Sequence, residues 1–482
     1  MHELHAAQRL EGRDFRCSEI ELHERFADRL DQGYADLPEL DEFVGYHLEQ
    51  AYRLRTELGE SDRRTAQLAE DGGRRLGNAG VRALKRGDMP ATASLLERSS
   101  SLIVADRALR DELRCELAIA LRTSGDARRA ESLLAETISN AQARADNRLA
   151  ARARIEHEYL RVLQQSTTTG DALLAAISEG IPIFETVDDD RSSARTWLLK
   201  GFVLGVHRGN YELARDATER ALTYYERCRW PIDTCLGQIA IALHYGPTSV
   251  PNAIARLEGL LETTSGRAGR ANIEVFLGGL TAQAGDIDAG RDLVAAARAA
   301  FEDLGQPASA AIYCGGVLGE VELLAGNAPA AELILRELCL ELERTNHLSH
   351  LASRAGDLAE ALYAQGRLGE AEEWALVGEH HSAADDLDAK LSWLPVRAKV
   401  AAARGALDDA EELIDAAVIA SEATDALNRR AKVHSDLAEV QRLAGRLREA
   451  ASAYERAVAF FEQKGNRMGA ERARLAWGPV LV

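Results

Sequence analysis

The chain has 482 residues, of which 46% are hydrophobic and only 5% aromatic, and its formal net charge is −19. A general nucleic-acid binder needs a basic stripe that displaces counterions, so this acidity disfavours that class. No uninterrupted apolar run approaches the roughly 18 residues of a membrane-spanning helix, and no apolar signal segment follows the first methionine. The composition therefore predicts a soluble, cytoplasmic protein that does not bind nucleic acid directly.

Residues 1–60 are predicted to form a helical segment that precedes the rest of the chain. Residues 1–17 are polar and are expected to fray, and Ser18 is expected to cap a helix over residues 18–32, whose apolar side chains have helical spacing. After a linker at residues 33–39, a second amphipathic helix is predicted over residues 41–58.

From residue 61 onward, a turn that contains glycine recurs about every 40 residues. The turn glycines are Gly87, Gly125, Gly209, Gly285, Gly326, Gly366, Gly405 and Gly445. The steps between them are 38, 84, 76, 41, 40, 39 and 40 residues, and the two large steps are double periods. Degenerate hairpins over residues 164–191 and 246–261 would restore the missing turns. A fixed period of this size is typical of stacked helical repeats.

Each repeat carries small residues at two fixed positions relative to its turn glycine. Five positions after the turn glycine lies alanine in six units, Gly290 in a seventh and Thr92 in the Gly87 unit. Only the Gly209 unit has a large residue, Phe202, seven positions before the glycine. The small residues seven positions before the turn are Gly80, Ala118, Gly278, Gly319, Ala359, Ala398 and Ala438. Small side chains let two helices approach closely, so each unit is predicted to be a helical hairpin that buries its apolar face against its neighbours.

This pattern resembles the tetratricopeptide repeat, most closely in the last unit, which combines Ala438, Gly445, Ala450, Tyr454 and Ala457. The family period is about 34 residues, shorter than the period of about 40 in this chain. The resemblance covers roughly residues 62–482. It implies an all-α, right-handed α-solenoid of about ten hairpins over residues 61–482, with a capping helix over residues 466–477.

A second resemblance rests on the amino-acid sequences of residues 22–30, 45–54, 95–98 and 464–474. These segments are similar to the C-terminal half of actinobacterial multidomain regulators, which join a nucleotide-cyclase or other effector domain to a signalling ATPase module of the STAND type and a tetratricopeptide array. In that family, the segment matching residues 22–30 closes a winged-helix piece. The phosphate-binding motif G-x-x-x-x-G-K-[ST] is missing here, so the resemblance implies only the sensor half of such a regulator.

Several polar clusters raise the question of a metal or catalytic site, and each has a simpler interpretation as a polar loop, a helix cap or a core cysteine. The clusters are His380–His381 with Asp385, Asp386 and Asp388; His347 with His350; Asp188–Asp190; and Cys228 with Cys235. Adjacent histidines point in different directions on a helix, and the two cysteines lack a second pair for zinc. The sequence therefore predicts a protein that is not an enzyme, with no catalytic, cofactor or metal site.

The first helix of each hairpin lines the concave groove of a tetratricopeptide array, at positions 13, 10, 6, 3 and 2 before each turn glycine. In the later units the predicted groove residues are Tyr313, Glu320, Glu360, Tyr363, Lys399, Lys432, Glu439 and Arg442. In the Gly209 unit they are mostly apolar: Thr196, Leu199, Val203 and Val206. The alternative is an ordinary solvated concave face. If the groove binds a partner, reversing the charges of Lys399 and Arg442 should leave folding intact and weaken partner binding.

Two hypotheses for the groove follow. In the first, the chain is a non-catalytic interaction or sensor module of a bacterial signalling or transcriptional regulator, and the groove binds a protein partner or a neighbouring domain. In the alternative, the groove binds a small ligand and regulates a separate ATPase or nucleotide-cyclase chain. A continuous open groove favours the first hypothesis, whereas a closed pocket with convergent polar groups favours the second.

Overall fold

The computed structural model describes the backbone of residues 2–34, 37–164 and 170–478, and the side chains of these residues except 2–15 and 477. Within these ranges the regular secondary structure is helical. The chain divides into two compact units, residues 1–160 (unit 1) and 161–482 (unit 2). The domain boundary at residue 60 stays a prediction.

Unit 1 begins with a helix that is longer than expected. Its helices are α1 (His2–Gly33), α2 (Leu40–Glu57), α3 (Arg63–Arg86), α4 (Met89–Leu102), α5 (Arg107–Thr123), α6 (Ala127–Ala143) and α7 (Asn147–Gln164), the last of which runs past residue 160. The predicted fraying of residues 1–17 and the cap at Ser18 are wrong, because α1 already starts at His2. Residues 3–11 are mostly strong helix formers, so local propensity extends the helix. Helix α2 agrees with the sequence prediction to within one residue.

Unit 2 continues the series of hairpins. Its helices are α8 (Gly170–Thr186), α9 (Asp190–Phe202), α10 (Tyr211–Arg227), α11 (Asp233–Tyr245), α12 (Val250–Thr263), α13 (Arg267–Ala284), α14 (Ile287–Asp303), α15 (Pro307–Ser309), α16 (Gly316–Ala325), α17 (Ala328–Arg344), α18 (Leu348–Ala364), α19 (Leu368–His381), α20 (Leu387–Ala403), α21 (Leu407–Glu422), α22 (Leu427–Leu443), α23 (Leu447–Lys464) and α24 (Arg467–Trp477). Segments Val203–His207 and Ala310–Gly315 are π-helical. Contacts between successive helices form nine hairpins in the described ranges, and α24 follows the last of them as the predicted cap: α3–α4, α5–α6, α9–α10, α11–α12, α13–α14, α16–α17, α18–α19, α20–α21 and α22–α23.

The turn between the helices of a hairpin has the predicted geometry. All eight turn glycines have positive φ, from 60° at Gly209 to 119° at Gly285, a left-handed conformation that glycine adopts without a Cβ clash. In four turns the next residue caps the second helix by accepting a hydrogen bond from a backbone N–H three positions later; these residues are Asp88, Asp126, Asn210 and Asp286. The two residues of the turn therefore end one helix and start the next.

The small residues lie where the two helices of a hairpin cross. A Cβ added at Gly80 would lie 2.5 Å from Leu96, and one added at Gly319 would lie 2.6 Å from Leu335. In the exceptional unit, Gly201 takes the place of the small residue, since its added Cβ would lie 2.6 Å from Thr218. The π-helical segment that follows Phe202 explains the shift, because a π-bulge inserts one extra residue before the turn.

The two ranges predicted to be degenerate hairpins, residues 164–191 and 246–261, each contain mainly one helix, α8 and α12 respectively, so the predicted bounds are wrong. Helices α11 and α12 flank Gly246, and α7 and α8 flank residues 165–169, which lie outside the described residues. Among the described helices, one apolar stretch, Pro307–Ala325, is long enough to cross a membrane by length and composition alone. In unit 2 this stretch contributes Cys314, Val317 and Val321 to the hydrophobic core.

Unit 2 closes on itself through contacts between residues far apart in sequence. The Asp385 carboxylate accepts a hydrogen bond from the Gly170 N–H (2.8 Å), and the Thr424 hydroxyl donates one to the Gly209 carbonyl (2.6 Å). The Lys464 ammonium donates one to the Gly246 carbonyl (2.7 Å). The separations are 215, 215 and 218 residues, between five and six repeats. We call these three contacts the seam; they indicate that unit 2 completes one superhelical turn within that distance.

Lys464 is the most deeply buried charge of the seam, with no exposed surface. Its Nζ donates to the carbonyl oxygens of Leu243 (3.0 Å), Gly246 (2.7 Å) and Thr248 (2.7 Å), so that all three ammonium donors have a partner. Burial lowers the pKa of Lys464 to about 7, and the charge of Asp425 opposes this shift. The end of α23 is thereby joined to the turn between α11 and α12.

Replacing Lys464 with methionine tests the seam. Lys464→Met leaves three carbonyl oxygens without their donor, and we expect it to lower the free energy of unfolding by about 2–4 kcal/mol in urea denaturation. Lys85→Met, at an exposed lysine of unit 1, is the control and should change stability by less than about 0.5 kcal/mol. Equal midpoints for the two variants would contradict the seam.

Cysteine reactivity tests the packing of the hairpins. Burial raises the pKa of four thiols to about 12: Cys115, Cys235, Cys314 and Cys339. Because the thiolate is the reactive form, maleimide at pH 8 should label exposed Cys17 first, partly buried Cys228 slowly, and these four only after denaturation. Mass spectrometry of labelled peptides against time measures this order, and early labelling of any of the four would contradict the packing.

Candidate functional site

A half-open cavity of about 480 Å³ lies on the inner side of unit 2, lined mainly by the first helices of successive hairpins. Helices α11, α13, α16, α18, α20 and α22 contribute to its wall, together with α23 and the capping helix α24. We call it the central cavity. The seam brings α22 and α24 back beside α11 and α13, so the groove expected from the sequence becomes a half-open pocket at this point.

Six of the eight predicted groove residues line the central cavity: Glu320, Glu360, Tyr363, Lys399, Lys432 and Glu439. The other two do not. Arg442 lies beside the cavity and donates two hydrogen bonds to Glu439 (2.8 Å each). Tyr313 packs on Phe276, with 6.2 Å between ring centroids, in the hydrophobic core. The Gly209 unit does not line the cavity either, since Thr196, Leu199 and Val203 are buried in packing.

Four side chains form an alternating ring of charges in the cavity wall, which we call the ion ring: Glu360, Lys399, Asp436 and Lys432. Lys399 Nζ lies 2.7 Å from oxygens of both Glu360 and Asp436, and Lys432 Nζ lies 2.8 Å from oxygens of the same two carboxylates. Burial alone would raise the pKa of Glu360 and lower that of Lys399, but the opposite charges hold the Glu360 pKa well below and the Lys399 pKa well above their ordinary values. Both groups are therefore charged at neutral pH.

A second charged cluster also contributes to the cavity wall, through Glu320 and Asp357. Arg354 bridges Glu320 (2.9 Å) and Asp357 (2.8 Å), and Tyr245 donates a hydrogen bond to Glu320 (2.7 Å). Burial raises the pKa of Asp357 even though two guanidinium groups oppose the shift. His244 is only 2% exposed, its Nε2 lies 3.4 Å from Glu320, and its Nδ1 has no partner among the described residues.

A helix glycine makes room for that histidine. A Cβ at Gly279 would lie 2.4 Å from the His244 ring, so only glycine lets the imidazole lie against α13. Gly279 also lines the cavity.

The cavity becomes more exposed toward the turns. Glu439 and Tyr363 are partly buried, and the Tyr363 hydroxyl lies 3.4 Å from Glu439. Arg472 of α24 is exposed at the mouth and donates to the carbonyl oxygens of Leu323 and Leu324, the latter at 3.0 Å, near the end of α16. A cation suits the C-terminal end of a helix, so Arg472 helps to hold α24 over the cavity.

The sequence prediction missed the buried charges because it placed one position of the stripe a residue too early. Asp357 and Asp436 both lie nine positions before their turn glycines, whereas the prediction used ten. A residue one helical turn N-terminal to position six lies at position nine or ten, so position nine is on the same face of the helix as position six. His244 and Tyr245 belong to a degenerate hairpin without a turn glycine of positive φ, and no sequence signal placed them.

The polar clusters of the sequence have structural roles. Asp189 caps α9, Asp386 caps α20, and Asp385 belongs to the seam. His350 is buried near Phe202, and burial lowers its pKa to about 3. Within the ranges that the structure describes, no group of three His, Cys, Asp or Glu side chains could hold a metal ion.

Comparison with solved structures agrees with this fold. No family model matches the chain, and no curated protein does. Cut9–Hcn1 of the APC/C hetero-tetramer is similar over 94% of this chain and 88% of its own, with a TM-score of 0.53 and 13% identity. A Rap protein complexed with competence and sporulation factor covers 77% and 97% (TM-score 0.41, 12% identity), and yeast Tom70 covers 95% and 96% (TM-score 0.38, 11% identity).

The fold and the cavity define a class of protein. The chain is a helical repeat protein with tetratricopeptide-like hairpins, an all-α solenoid with a period near 40 residues. The charged side chains of the cavity wall pair with opposite charges, an arrangement suited to holding a partner or ligand by complementary contacts. The likeness to solved structures supports the fold alone. Function has to be argued from the residues of the cavity.

Removing Lys399 tests the ion ring. Lys399 is only 3% exposed and lies between two carboxylates, so the structure does not support the expectation that reversing its charge leaves folding intact. Lys399→Met leaves buried charges unpaired and should lower the free energy of unfolding by about 3–5 kcal/mol in urea denaturation. Lys390→Met, on the same helix but outside the cavity lining, is the matched control. A loss no larger than that of the control would show that the ring does not form.

Proposed function

We propose that the chain is the non-catalytic sensor module of a bacterial signalling or transcriptional regulator, and that unit 2 binds a small ligand in the central cavity. The observation that carries the proposal is the cavity itself, about 480 Å³ in volume and lined by convergent charged and tyrosine side chains. Pockets for small molecules have volumes of roughly 300–1,000 Å³ and combine apolar walls with a few well-placed polar groups.

A small ligand fits this cavity better than a folded partner does. A helix or a long peptide laid along a tetratricopeptide-like array needs a continuous groove, whereas the seam joins repeats five to six units apart around the inner face of unit 2. A pocket into which several polar groups converge is typical of a small-molecule site, and the lining of this cavity has that feature. The protein-partner hypothesis placed the partner in this same concave groove.

The regulatory role rests on the resemblance of residues 22–30, 45–54, 95–98 and 464–474 to the repeat half of actinobacterial cyclase and ATPase regulators. In such a protein the ligand would act on an effector domain or on a separate ATPase or cyclase chain. The last of these segments includes most of α24, which forms part of the cavity wall. A ligand in the central cavity would therefore contact α24, the C-terminal helix of the repeats.

A capture experiment with a blocked cavity tests the proposal. The purified chain is incubated with the small-molecule fraction of an actinobacterial extract, washed and denatured, and the released compounds are identified by mass spectrometry. Ala364→Trp should abolish capture, because Ala364 is exposed and lines the cavity, so a bulky ring can enter it without disturbing the core. Ala403→Trp is the control; it lies at the same position before its turn glycine, is exposed and does not line the cavity.

The expected result is a compound released by the wild-type chain and by Ala403→Trp but not by Ala364→Trp. Release from all three proteins would place the binding site elsewhere and would overturn the proposal. Thermal denaturation of both variants checks that any loss of capture does not come from unfolding.

A further inference from the structure

The hairpin of α1 and α2 in unit 1 carries an apolar face that the structure leaves exposed. In a stack of helical hairpins the outer side of an end hairpin is normally polar, because an apolar one lowers solubility. Here four large apolar side chains on that side are between 44% and 64% exposed. We call this surface the end face; its members are Leu22 and Phe26 of α1 and Phe43 and Tyr46 of α2.

The end face is continuous across the two helices. Its two members on each helix are three or four residues apart, so they lie one helical turn from each other. The ring centroid of His47 lies 4.7 Å from that of Phe26 and 5.2 Å from that of Tyr46, so His47 joins the two halves of the face. The Nδ1 atoms of His23 and His47 are 2.7 Å apart, a hydrogen bond that fixes the central ring.

The size of the end face is close to what a dimer interface needs. A fully buried aromatic side chain covers about 150–250 Å², so four large side chains that are about half exposed present roughly 400 Å² of apolar surface. A standard interface buries about 800 Å² on each partner, of which slightly more than half is apolar. An exposed apolar patch of this size is often functional in a soluble protein.

The charges beside the end face are complementary to themselves. Arg25 and Asp28 are exposed and make no ion pair with a described residue. They are three residues apart on α1 and therefore lie on one side of the helix, next to Phe26. By contrast, Glu24 on the inner side of α1 forms an ion pair with Arg64 of α3.

A two-fold axis beside Phe26 would pair these charges. In a two-fold dimer the same face of each copy meets its counterpart, so two α1 helices in contact across the axis run antiparallel. Phe26 lies between residues 25 and 28, and with the axis at that point Arg25 of each copy lies opposite Asp28 of the other. A symmetric dimer therefore gains two ion pairs from charges that a single copy leaves unpaired.

We propose that unit 1 associates with a second copy of the chain through the end face, with the two α1 helices antiparallel and Arg25 and Asp28 paired across the two-fold axis. Removing two apolar faces from water supplies the driving force. The ion pairs fix the orientation of the two copies. Association through unit 1 requires nothing of the central cavity, so its outcome and that of the ligand experiment are independent.

Sedimentation velocity of the full chain at about 1–50 μM in about 0.15 M salt tests the association. We expect a shift from monomer to dimer as the concentration rises. Phe26→Glu puts a charge into the middle of the apolar contact and should raise the dissociation constant at least about 100-fold. Ile419→Glu, at an exposed apolar residue of α21 in unit 2, is the control and should leave the constant unchanged. Thermal denaturation checks that both variants fold.

An exchange of charges tests the antiparallel arrangement. Arg25→Glu places two carboxylates opposite each other at both ion pairs, and Asp28→Arg places two guanidinium groups there. Each variant alone should dimerise at least about tenfold more weakly than the wild type. An equimolar mixture of the two variants should recover dimerisation, because every new charge then faces an opposite charge on the other variant.

Three results would contradict the proposal. A chain that stays monomeric over the whole concentration range would overturn it and leave the end face to another domain or protein. Dimers that Phe26→Glu does not weaken would show that the copies meet at a different surface. A mixture that dimerises no more tightly than the single variants would refute the pairing of Arg25 with Asp28 and with it the antiparallel arrangement.

Discussion

The interior of unit 2 depends on the hydrogen bonds that join residues about 215 positions apart. A stack of hairpins held only by nearest neighbours can open or tighten, since each repeat contacts only the next. The seam removes this freedom, because Gly170, Gly209 and Gly246 are bonded to residues of repeats between five and six units later. Once the turn of the superhelix is closed, the inner faces of the first helices lie opposite one another. The cavity and its paired charges follow from this closure.

The sequence predicted what is local and repeated. Each turn glycine is followed by the second helix of its hairpin at a fixed distance, and the small residue seven positions earlier lies where the two helices cross. One repeat of the sequence therefore predicts both the turn and the helix packing. The Phe202 exception also has a local cause, a π-bulge with Gly201 one position earlier. The seam could not be predicted in this way. In the sequence, Lys464 is an ordinary polar residue at a helix end and Asp385 an ordinary polar residue in a loop. Their partners are backbone atoms, which leave no pattern in the sequence.

The same distinction between local patterns and contacts of distant residues explains which features of the candidate site could be predicted from the sequence. Position six before the turn glycine holds Glu320, Glu360, Lys399 and Glu439 in four successive units, and all four line the cavity. Helical periodicity alone placed them on the inner face. That they would be buried and paired could not be inferred, because Glu360 meets Lys432 across 72 residues and Tyr245 meets Glu320 across 75. Whether these side chains are exposed to solvent depends on how the superhelical turn of unit 2 brings distant repeats together. The sequence pattern describes only one repeat at a time.

The ion ring is poorly explained by stability alone. Burying two ammonium groups and two carboxylates carries a desolvation cost that their mutual attraction at best roughly repays, and well-packed apolar residues of similar volume are often equally stable or more so. The hydrophobic clusters on either side of the cavity show that the repeats can pack in that way. A ring of charges at the axis instead gives the wall a defined pattern of donors and acceptors, held by mutual bonds of 2.7–2.8 Å. Such preorganised polar groups recognise a complementary ligand without first having to be ordered, and this is the physical reason to look for the function of unit 2 inside the cavity.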